Sequence, residues 1–274
     1  MKSTIGAAEA ALLAQDSKIA LLGTLDETGC PHITFFNSLQ GLGDQQLTFG
    51  QFMVGQSKTF LPQRPDCAFL ALSADMNWLR GRARYTHKET GGAEYEMYNN
   101  KPLFRYNTYF GINTVWYLDL LGISEIQKLP MPQIAAGAIL TRVAAALRGK
   151  SEKGALALFS RQLFAKLDGL KFLCYADAQG ALNLVPIIQA THAGADRAVF
   201  LPTPYGKLLK DAPQGCRAAI LAVNLELQSV LVKGTLAKRS GAFTLDIDRV
   251  YNPMPPAVGY IYPKAAKPAP VTAF

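Results

Sequence analysis

A short polar segment in the first half of the chain contains the residue types that bind phosphate. The segment reads Gly55-Gln56-Ser57-Lys58-Thr59. Hydroxyl groups, the backbone N–H groups of a tight loop that enters a helix and one lysine ammonium together offer directional donors and a positive charge to a phosphate dianion. The same residues also fit an ordinary helix N-cap followed by a solvated lysine. The surrounding elements must decide between these two interpretations.

Short strands separated by tight turns surround this segment. The turn residues Asp26-Glu27-Thr28-Gly29 separate two apolar runs, which predicts a β-hairpin. Ser57 is expected to cap a short helix that reaches Gln63 and ends before Pro65. Several short strands of this kind are typical of a small antiparallel barrel. The predicted strands are Lys18–Leu25, Cys30–Leu39, Gln46–Gly50, Cys67–Leu72, Trp78–His87 and Trp116–Ile123.

The order of turns and strands in the first half recurs in the second half at a constant offset. Gly180 ends an Asp-x-x-Gly turn and lies 151 residues after Gly29, which ends the same kind of turn. The same offset places the apolar run Ala219–Val223 opposite Ala68–Leu72. This period is too long for a solenoid repeat. The pattern therefore predicts one domain that has been duplicated and fused.

The predicted organisation is mainly β, with two tandem barrels joined by a helical connector. The barrels cover residues 1–125 and 170–274, and the connector covers residues 126–169. Within the connector, Gln133–Arg148 and Ser151–Leu167 are expected to be helices. A domain that forms a two-fold dimer can be fused into one chain that preserves the same interface. We therefore expect a pseudo-dimer within one chain, and further homodimerisation of the fused chain stays open.

The phosphate-type segment itself is not repeated. At the offset of 151 residues, Ser57-Lys58 falls opposite Leu208-Leu209. Two lysines, Lys207 and Lys210, flank that position and could substitute only imperfectly. We therefore expect the two barrels to differ, with an intact phosphate loop only in the first.

Five stretches of the first half, taken in order, carry a family resemblance. They are Ile19–Thr24, Gly29–Asn37, Leu47–Gly50, Gln56–Thr59 and Pro65–Leu70. Together they resemble the FMN-binding split-barrel family related to pyridoxamine 5′-phosphate oxidase, which includes small bacterial FMN-binding proteins. The second half resembles this family in fold only, through the repeat.

The resemblance implies that FMN is the cofactor and that it lies at the interface between two barrels. It implies that the phosphate binds around Ser57-Lys58 and that the ring lies against the strand from His32 to Asn37. The positions that it implies for cofactor binding are Thr34, Phe35, Phe36, Asn37, Gly50, Gln51, Gln56, Ser57, Lys58 and Thr59. Where the oxidase has arginine-rich stretches for its substrate, this chain has a Pro-rich tail that begins near Tyr260. That departure argues against vitamin B6 oxidation.

The net charge of +8 is concentrated in the second half of the chain. Residues 1–125 contain ten Lys and Arg against twelve Asp and Glu, whereas residues 126–274 contain eighteen against eight. A basic half can attract nucleic acid or another polyanion. Its charges are dispersed, however, and they are not interleaved with aromatic residues. We therefore expect a solvated basic face and no nucleic-acid partner.

Other classes of site have little support in the sequence. The four cysteines form no Cys-x-x-Cys pair and the three histidines lack the spacing of metal ligands, so no metal site is predicted. No apolar run is long enough to span a membrane and the N-terminus lacks the pattern of a secretory signal, so a cytoplasmic protein is expected. An aromatic segment at residues 104–110 fits either core packing or a lid over a planar ligand.

The sequence thus predicts an FMN-binding flavoprotein that is an oxidoreductase with a small-molecule substrate or electron donor. The flavin would supply the hydride or electron chemistry, and the protein would position it. The sequence assigns no catalytic acid or base. Two alternatives stay open, namely an FMN or haem carrier without turnover and an interaction module that has lost its cofactor.

Overall fold

The computed structural model describes residues 1–52, 55–102, 111–148, 154–224, 226, 228–254 and 258–263. These residues form two curled antiparallel sheets of eight strands each, with short helices. This confirms the predicted fold class, which is mainly β with two tandem barrel-type sheets and helices between them. The aromatic segment at residues 104–110 lies outside the described residues.

The first sheet has the strand order β2-β1-β5-β6-β7-β4-β3, and β8 pairs with β6. Its strands are β1 Lys18–Leu25, β2 Pro31–Phe36, β3 Gln40–Leu42, β4 Gln46–Gln51, β5 Asp66–Ser73, β6 Asn77–Glu89, β7 Thr114–Ile123 and β8 Gln127–Lys128. The helices in this part of the chain are α1 Ala7–Ala14, α2 Gln56–Phe60 and α3 Ala93–Asn100. Inward-facing apolar residues such as Leu22, Phe69 and Leu118 form the core of this sheet.

The second sheet repeats this arrangement, with the order β10-β9-β13-β14-β15-β12-β11 and with β16 paired to β15. Its strands are β9 Leu170–Ala176, β10 Leu182–Pro186, β11 Thr191–His192, β12 Arg197–Phe200, β13 Cys216–Val223, β14 Ser229–Arg239, β15 Ala242–Asn252 and β16 Gly259–Tyr262. The helices of this part are α4 Met131–Ala146, α5 Leu158–Ala165 and α6 Gly206–Leu209.

The register of strand pairing also repeats at the offset that the sequence predicts. A β-bulge follows Arg82 in β6, and a second bulge follows Lys233 in β14, which lies 151 residues later. Strand pairs in the two sheets match residue by residue, as in the pairs Leu21–Leu70 and Phe172–Leu221. A one-residue slip would turn every side chain of a strand to the other face. The shared register therefore gives both sheets the same inward and outward positions.

The chain divides into two compact units. The first contains Met1–Leu25 and Thr34–Leu129, and the second contains Asp26–Ile33 together with the described residues from 130 onward. The turn of the first hairpin therefore belongs to the second unit, although the strand that precedes it belongs to the first.

The first connector helix is shifted from its predicted range, and the second is shorter than the sequence predicts. The helix α4 begins and ends two residues earlier than expected, whereas α5 begins only at Leu158 and ends at Ala165. The residue before α5, Ala157, has an extended backbone, so the helix cannot reach further toward the N-terminus. The predicted cap, Ser151, lies outside the described residues.

The carboxylate of Asp26 holds the turn of the first hairpin within the second unit. Its Oδ1 atom accepts hydrogen bonds from the backbone N–H groups of Thr28 and Cys30, each at 2.9 Å. Its Oδ2 atom accepts a hydrogen bond of 2.8 Å from the Nζ atom of Lys233, whose side chain is fully buried. Burial alone raises the pKa of Asp26, but the hydrogen bonds from Lys233 and Thr28 outweigh that effect and hold the pKa below its ordinary value. The sequence predicts that the basic residues of the second half are solvated, and this prediction is wrong for Lys233, which is buried.

The equivalent turn in the second half has the same backbone contacts without the buried ammonium. Asp177 accepts hydrogen bonds from the N–H groups of Gln179 and Ala181, at 3.1 and 2.9 Å. Its Oδ2 atom accepts a hydrogen bond of 3.2 Å from the neutral amide of Asn183. The two turns can therefore be compared directly, since Asp26 bonds to a buried ammonium and Asp177 bonds to a neutral amide.

The substitution Asp26→Asn is expected to lower the free energy of unfolding by about 3–5 kcal/mol, because Lys233 stays buried after it loses its carboxylate. Asp177→Asn should cost only about 1 kcal/mol, because it loses one hydrogen bond from the neutral amide of Asn183 and leaves no buried charge without its partner. The double variant with Lys233→Met should recover most of the loss. Denaturant unfolding followed by circular dichroism measures all three variants, and equal losses for Asp26→Asn and Asp177→Asn would contradict the role of the ion pair.

Candidate functional site

The polar segment forms the short helix α2, but Ser57 does not cap it. The helix begins at Gln56 and ends at Phe60, and the extended residue that precedes it is Gly55. The prediction that Ser57 caps a helix reaching Gln63 is therefore wrong. The physical reason is that the Ser57 side chain is buried and bonded to other side chains, so it does not bond to the helix backbone.

Three hydroxyl groups form a hydrogen-bonded array at this helix in the first unit. The Oγ atom of Ser57 lies 3.1 Å from the Oγ1 atom of Thr24 in β1 and 2.6 Å from the Oγ1 atom of Thr34 in β2. Thr24 and Ser57 are buried, whereas Thr34 is half-buried. The array thus runs from the core toward the accessible end at Thr34. Two strands and one helix are needed to assemble it.

The array has one hydroxyl proton more than its two hydrogen bonds use. Each hydroxyl offers one proton and can accept two hydrogen bonds. When Thr24 donates to Ser57 and Ser57 donates to Thr34, the proton of Thr34 is available to a further acceptor. Either hydroxyl of each pair can be the donor, and in this arrangement Ser57 orients the more accessible hydroxyl of Thr34 so that it can donate to a ligand.

Thr24 was not predicted as part of the site. The signal available in the sequence was a single hydroxyl at the end of the apolar run from Ile19 to Leu25. A lone threonine in a strand is ordinary, because β-branched residues are common in strands. Only its contact with Ser57 in α2 distinguishes it.

Lys58 follows Ser57 in the helix and is half-buried. Burial lowers the pKa of Lys58 to about 7, because desolvation disfavours the charged ammonium. A dianionic ligand beside the Nζ atom would reverse this shift and hold the proton on the lysine. The site therefore gains most from a ligand that carries negative charge.

The neighbouring side chains of the segment differ in exposure. Gln56 has a buried Oε1 atom that lacks a hydrogen-bond partner among the described residues, so this atom can accept a hydrogen bond from a ligand. Thr59 is exposed. Gln56 therefore offers a buried acceptor, and Thr59 offers a solvated hydroxyl.

The predicted residues of β2 and the position just after it are half-buried. Thr34 and Phe36 share one face of the strand, because side chains two residues apart point the same way. Phe36 packs against Phe49 with 5.1 Å between ring centroids. Phe35 and Asn37 alternate with them and point to the other face. The structure thus brings Thr34 to the helix α2 and gives Phe36 a contact in the core of the sheet.

Gly50 and Gln51 in β4 take part in packing within the first unit. A Cβ atom at Gly50 would lie only 2.5 Å from the Cδ1 atom of Ile112, so no larger residue fits there without movement. The Oε1 atom of Gln51 accepts a hydrogen bond of 2.8 Å from the indole of Trp116. Both positions therefore have structural roles in addition to the predicted one.

The equivalent loop in the second unit lacks the residues of the hydroxyl array. Tyr175 stands 151 residues after Thr24, and its hydroxyl donates to the backbone oxygen of Leu208 at 2.5 Å. Buried Val185 replaces Thr34 at the equivalent strand position. The connection between strand and short helix is therefore present, but Leu208 and Leu209 stand at the positions of Ser57 and Lys58.

The described part of the chain contains neither a metal-binding cluster nor a membrane-spanning helix. No group of three or more His, Cys, Asp or Glu side chains in that part of the chain could hold a metal ion. None of the helices described is long and apolar enough to cross a bilayer. All four cysteines are free thiols.

No family model and no curated protein matches the sequence. Similarity is found to solved structures. One similar structure is an FMN-binding protein from Syntrophomonas wolfei subsp. wolfei, at 16% identity and a TM-score of 0.37, with 44% of this chain and 84% of that chain covered. Another is HupZ of Group A Streptococcus, at 17% identity and a TM-score of 0.35, with 43% and 91% covered.

A third similar structure is an F420 reductase, at 18% identity and a TM-score of 0.34, with 42% of this chain and 94% of that chain covered. The solved structures that are similar to this chain thus include an FMN-binding protein.

The lowered pKa of Lys58 leads to a pH-dependent prediction for stability. In the unfolded chain the pKa returns to about 10.4, so unfolding takes up a proton between about pH 7 and pH 10, and the folded state is penalised most below pH 7. Lys58→Met should therefore raise the free energy of unfolding most near pH 6, and this gain should shrink as the pH rises toward about 10. Urea unfolding of both proteins across this range measures the difference. A gain that does not vary with pH would contradict the lowered pKa.

Proposed function

We propose that the chain binds FMN through Thr34, Ser57 and Lys58 and that it is a flavin-dependent oxidoreductase acting on a small molecule. The observation that carries this proposal is the buried hydroxyl array that ends at Thr34, beside a half-buried lysine with a pKa of about 7. A structural role alone would be served better by apolar side chains, as in the equivalent loop of the second unit.

The donor set fits a phosphate monoester. The hydroxyl of Thr34 donates one hydrogen bond, with its direction fixed by Ser57, and the ammonium of Lys58 supplies a charge-assisted bond. The phosphate dianion restores the proton that burial makes Lys58 lose near neutral pH. Thr59 offers a further hydroxyl at the exposed side of the helix.

The choice of FMN among phosphate monoesters rests on the resemblance of residues 19–70 to the flavin-binding family. The buried Oε1 atom of Gln56 fits this choice, because a polyhydroxyl chain attached to the phosphate can donate to it. Phe35, Phe36 and Asn37 would hold the ring, and Gly50 and Gln51 would line the path between ring and phosphate. FMN, when bound, supplies hydride or single-electron transfer.

We also propose that the second sheet is a diverged copy of the first, with domain boundaries at residues 1–125, 126–169 and 170–274. The repeated strand order, register and bulge position support this origin. The apolar loop at Leu208 supports one cofactor site per chain.

Lys58→Ala is expected to weaken FMN binding about tenfold or more, because a charge-assisted hydrogen bond contributes roughly 1.5–3 kcal/mol. Riboflavin, which lacks the phosphate, should bind the variant and the natural chain equally well. Quenching of flavin fluorescence measures both ligands. A variant that loses FMN and riboflavin affinity equally would contradict phosphate recognition by Lys58.

Lys207→Ala is the matched control, because Lys207 flanks the equivalent loop of the second unit and should leave FMN affinity unchanged. Turnover is tested separately by adding NAD(P)H to the FMN-loaded protein and following the loss of flavin absorption. Reduction followed by reoxidation with an acceptor supports the oxidoreductase. An inert flavin supports a carrier, and a failure to bind FMN at all supports a module that has lost its cofactor.

A further inference from the structure

The second unit contains a groove of about 580 Å³ that the proposed function does not use. One wall is the C-terminal part of the helix α4, and the other is built by residues of β12, β14 and β15. A volume of this size is typical of sites for small molecules, which range over about 300–1,000 Å³.

The helical wall of the groove is apolar and exposed. Leu140, Val143 and Leu147 have 58%, 55% and 81% of their surface accessible. Their spacing of three and four residues places them on one face of the helix. The buried residues Ile134 and Ala138 lie on the other face and pack inside the unit. The exposed stripe is therefore available to the apolar part of a ligand.

Three arginines line the groove, two on the strand wall and one just after the end of α4. Arg197 and Arg239 both donate to the carboxylate of Asp246, at 2.5 and 3.1 Å. The guanidinium of Arg148 donates to the backbone oxygens of Ala144 and Arg239, at 2.7 and 2.8 Å. In these contacts the only carboxylate is that of Asp246, whereas there are three guanidinium groups. Each guanidinium is oriented by at least one hydrogen bond. The groove therefore has an excess of oriented positive charge.

The first sheet shows that this charge is not needed for strand pairing. Gln46 in β4 pairs with Asp119 in β7, and its neutral amide donates to the carboxylate at 3.0 Å. Arg197 occupies the equivalent place opposite Asp246 in the second sheet. A glutamine is thus sufficient to bond this carboxylate. The positive charge of Arg197 calls for a different explanation.

We propose that this groove binds a small amphipathic anion, with a carboxylate or phosphate head at the arginines and an apolar chain along α4. Arginine guanidinium groups match the two oxygens of such a head group and keep their charge at every physiological pH. The exposed leucines and Val143 cover the chain of the ligand, which removes apolar surface of both from water. The arginines of the groove, which are part of the positive charge of the second half, would thus bind the head group of this ligand.

The experiment is calorimetric titration of the full chain with decanoate below its critical micelle concentration. Decanoate should bind saturably, whereas acetate, which lacks the chain, and decyltrimethylammonium, which carries the opposite charge, should not. Decyl phosphate should also bind, and its affinity relative to that of decanoate identifies the preferred head group. Saturable binding of decyltrimethylammonium with the affinity of decanoate would overturn the proposal, as would a failure of both anions to bind.

Variants locate the binding in the groove. Arg239→Gln should weaken decanoate binding about tenfold or more, and Leu147→Ser, at a highly exposed position, should weaken it while the fold is kept. Arg142→Gln is the matched control, because Arg142 lies on the same helix and donates to the backbone of Ala165 outside the groove lining. Equal effects of Arg239→Gln and Arg142→Gln would overturn the proposal. FMN affinity should be unchanged in all three variants, which separates this proposal from the cofactor proposal.

Discussion

The carboxylate of Asp26 is the constraint on which the first hairpin depends. One oxygen fixes the backbone of the turn, and the other neutralises the fully buried ammonium of Lys233. Any shift of the turn would leave a buried charge without its partner, which is far more costly than the loss of an ordinary hydrogen bond. The strand β2 leaves this turn and carries Thr34. Within the second unit, the ion pair between Asp26 and Lys233 therefore fixes the start of this strand.

The two short helices show how one fold can keep or lose a polar site. In the first, the desolvated ammonium of Lys58 disfavours the folded state unless a ligand compensates it. In the second, leucines fill the same positions, and Tyr175 keeps the connection between strand and helix. A site that lowers stability is retained when it serves binding. The contrast between the two helices therefore favours a ligand at the first.

Much of the fold could be predicted because turn chemistry and strand order repeat at a constant offset. The pair Asp26 and Asp177 illustrates this, since both cap the same turn through the same backbone contacts. The site was predicted less well, because its decisive contacts lie far apart in the sequence. Thr24 resembles any strand threonine, and the partners of Ser57 overrode its local preference for an N-cap. The arginines of the groove likewise come from three separate elements, so the sequence showed only dispersed charge.

We propose that the chain binds FMN at a single phosphate site in the first sheet. Equilibrium dialysis of the purified chain against FMN, with absorption spectra of the retained flavin, measures the number of sites directly. We expect one FMN per chain. No bound FMN would contradict the cofactor proposal, and two per chain would contradict the difference between the two loops on which it rests.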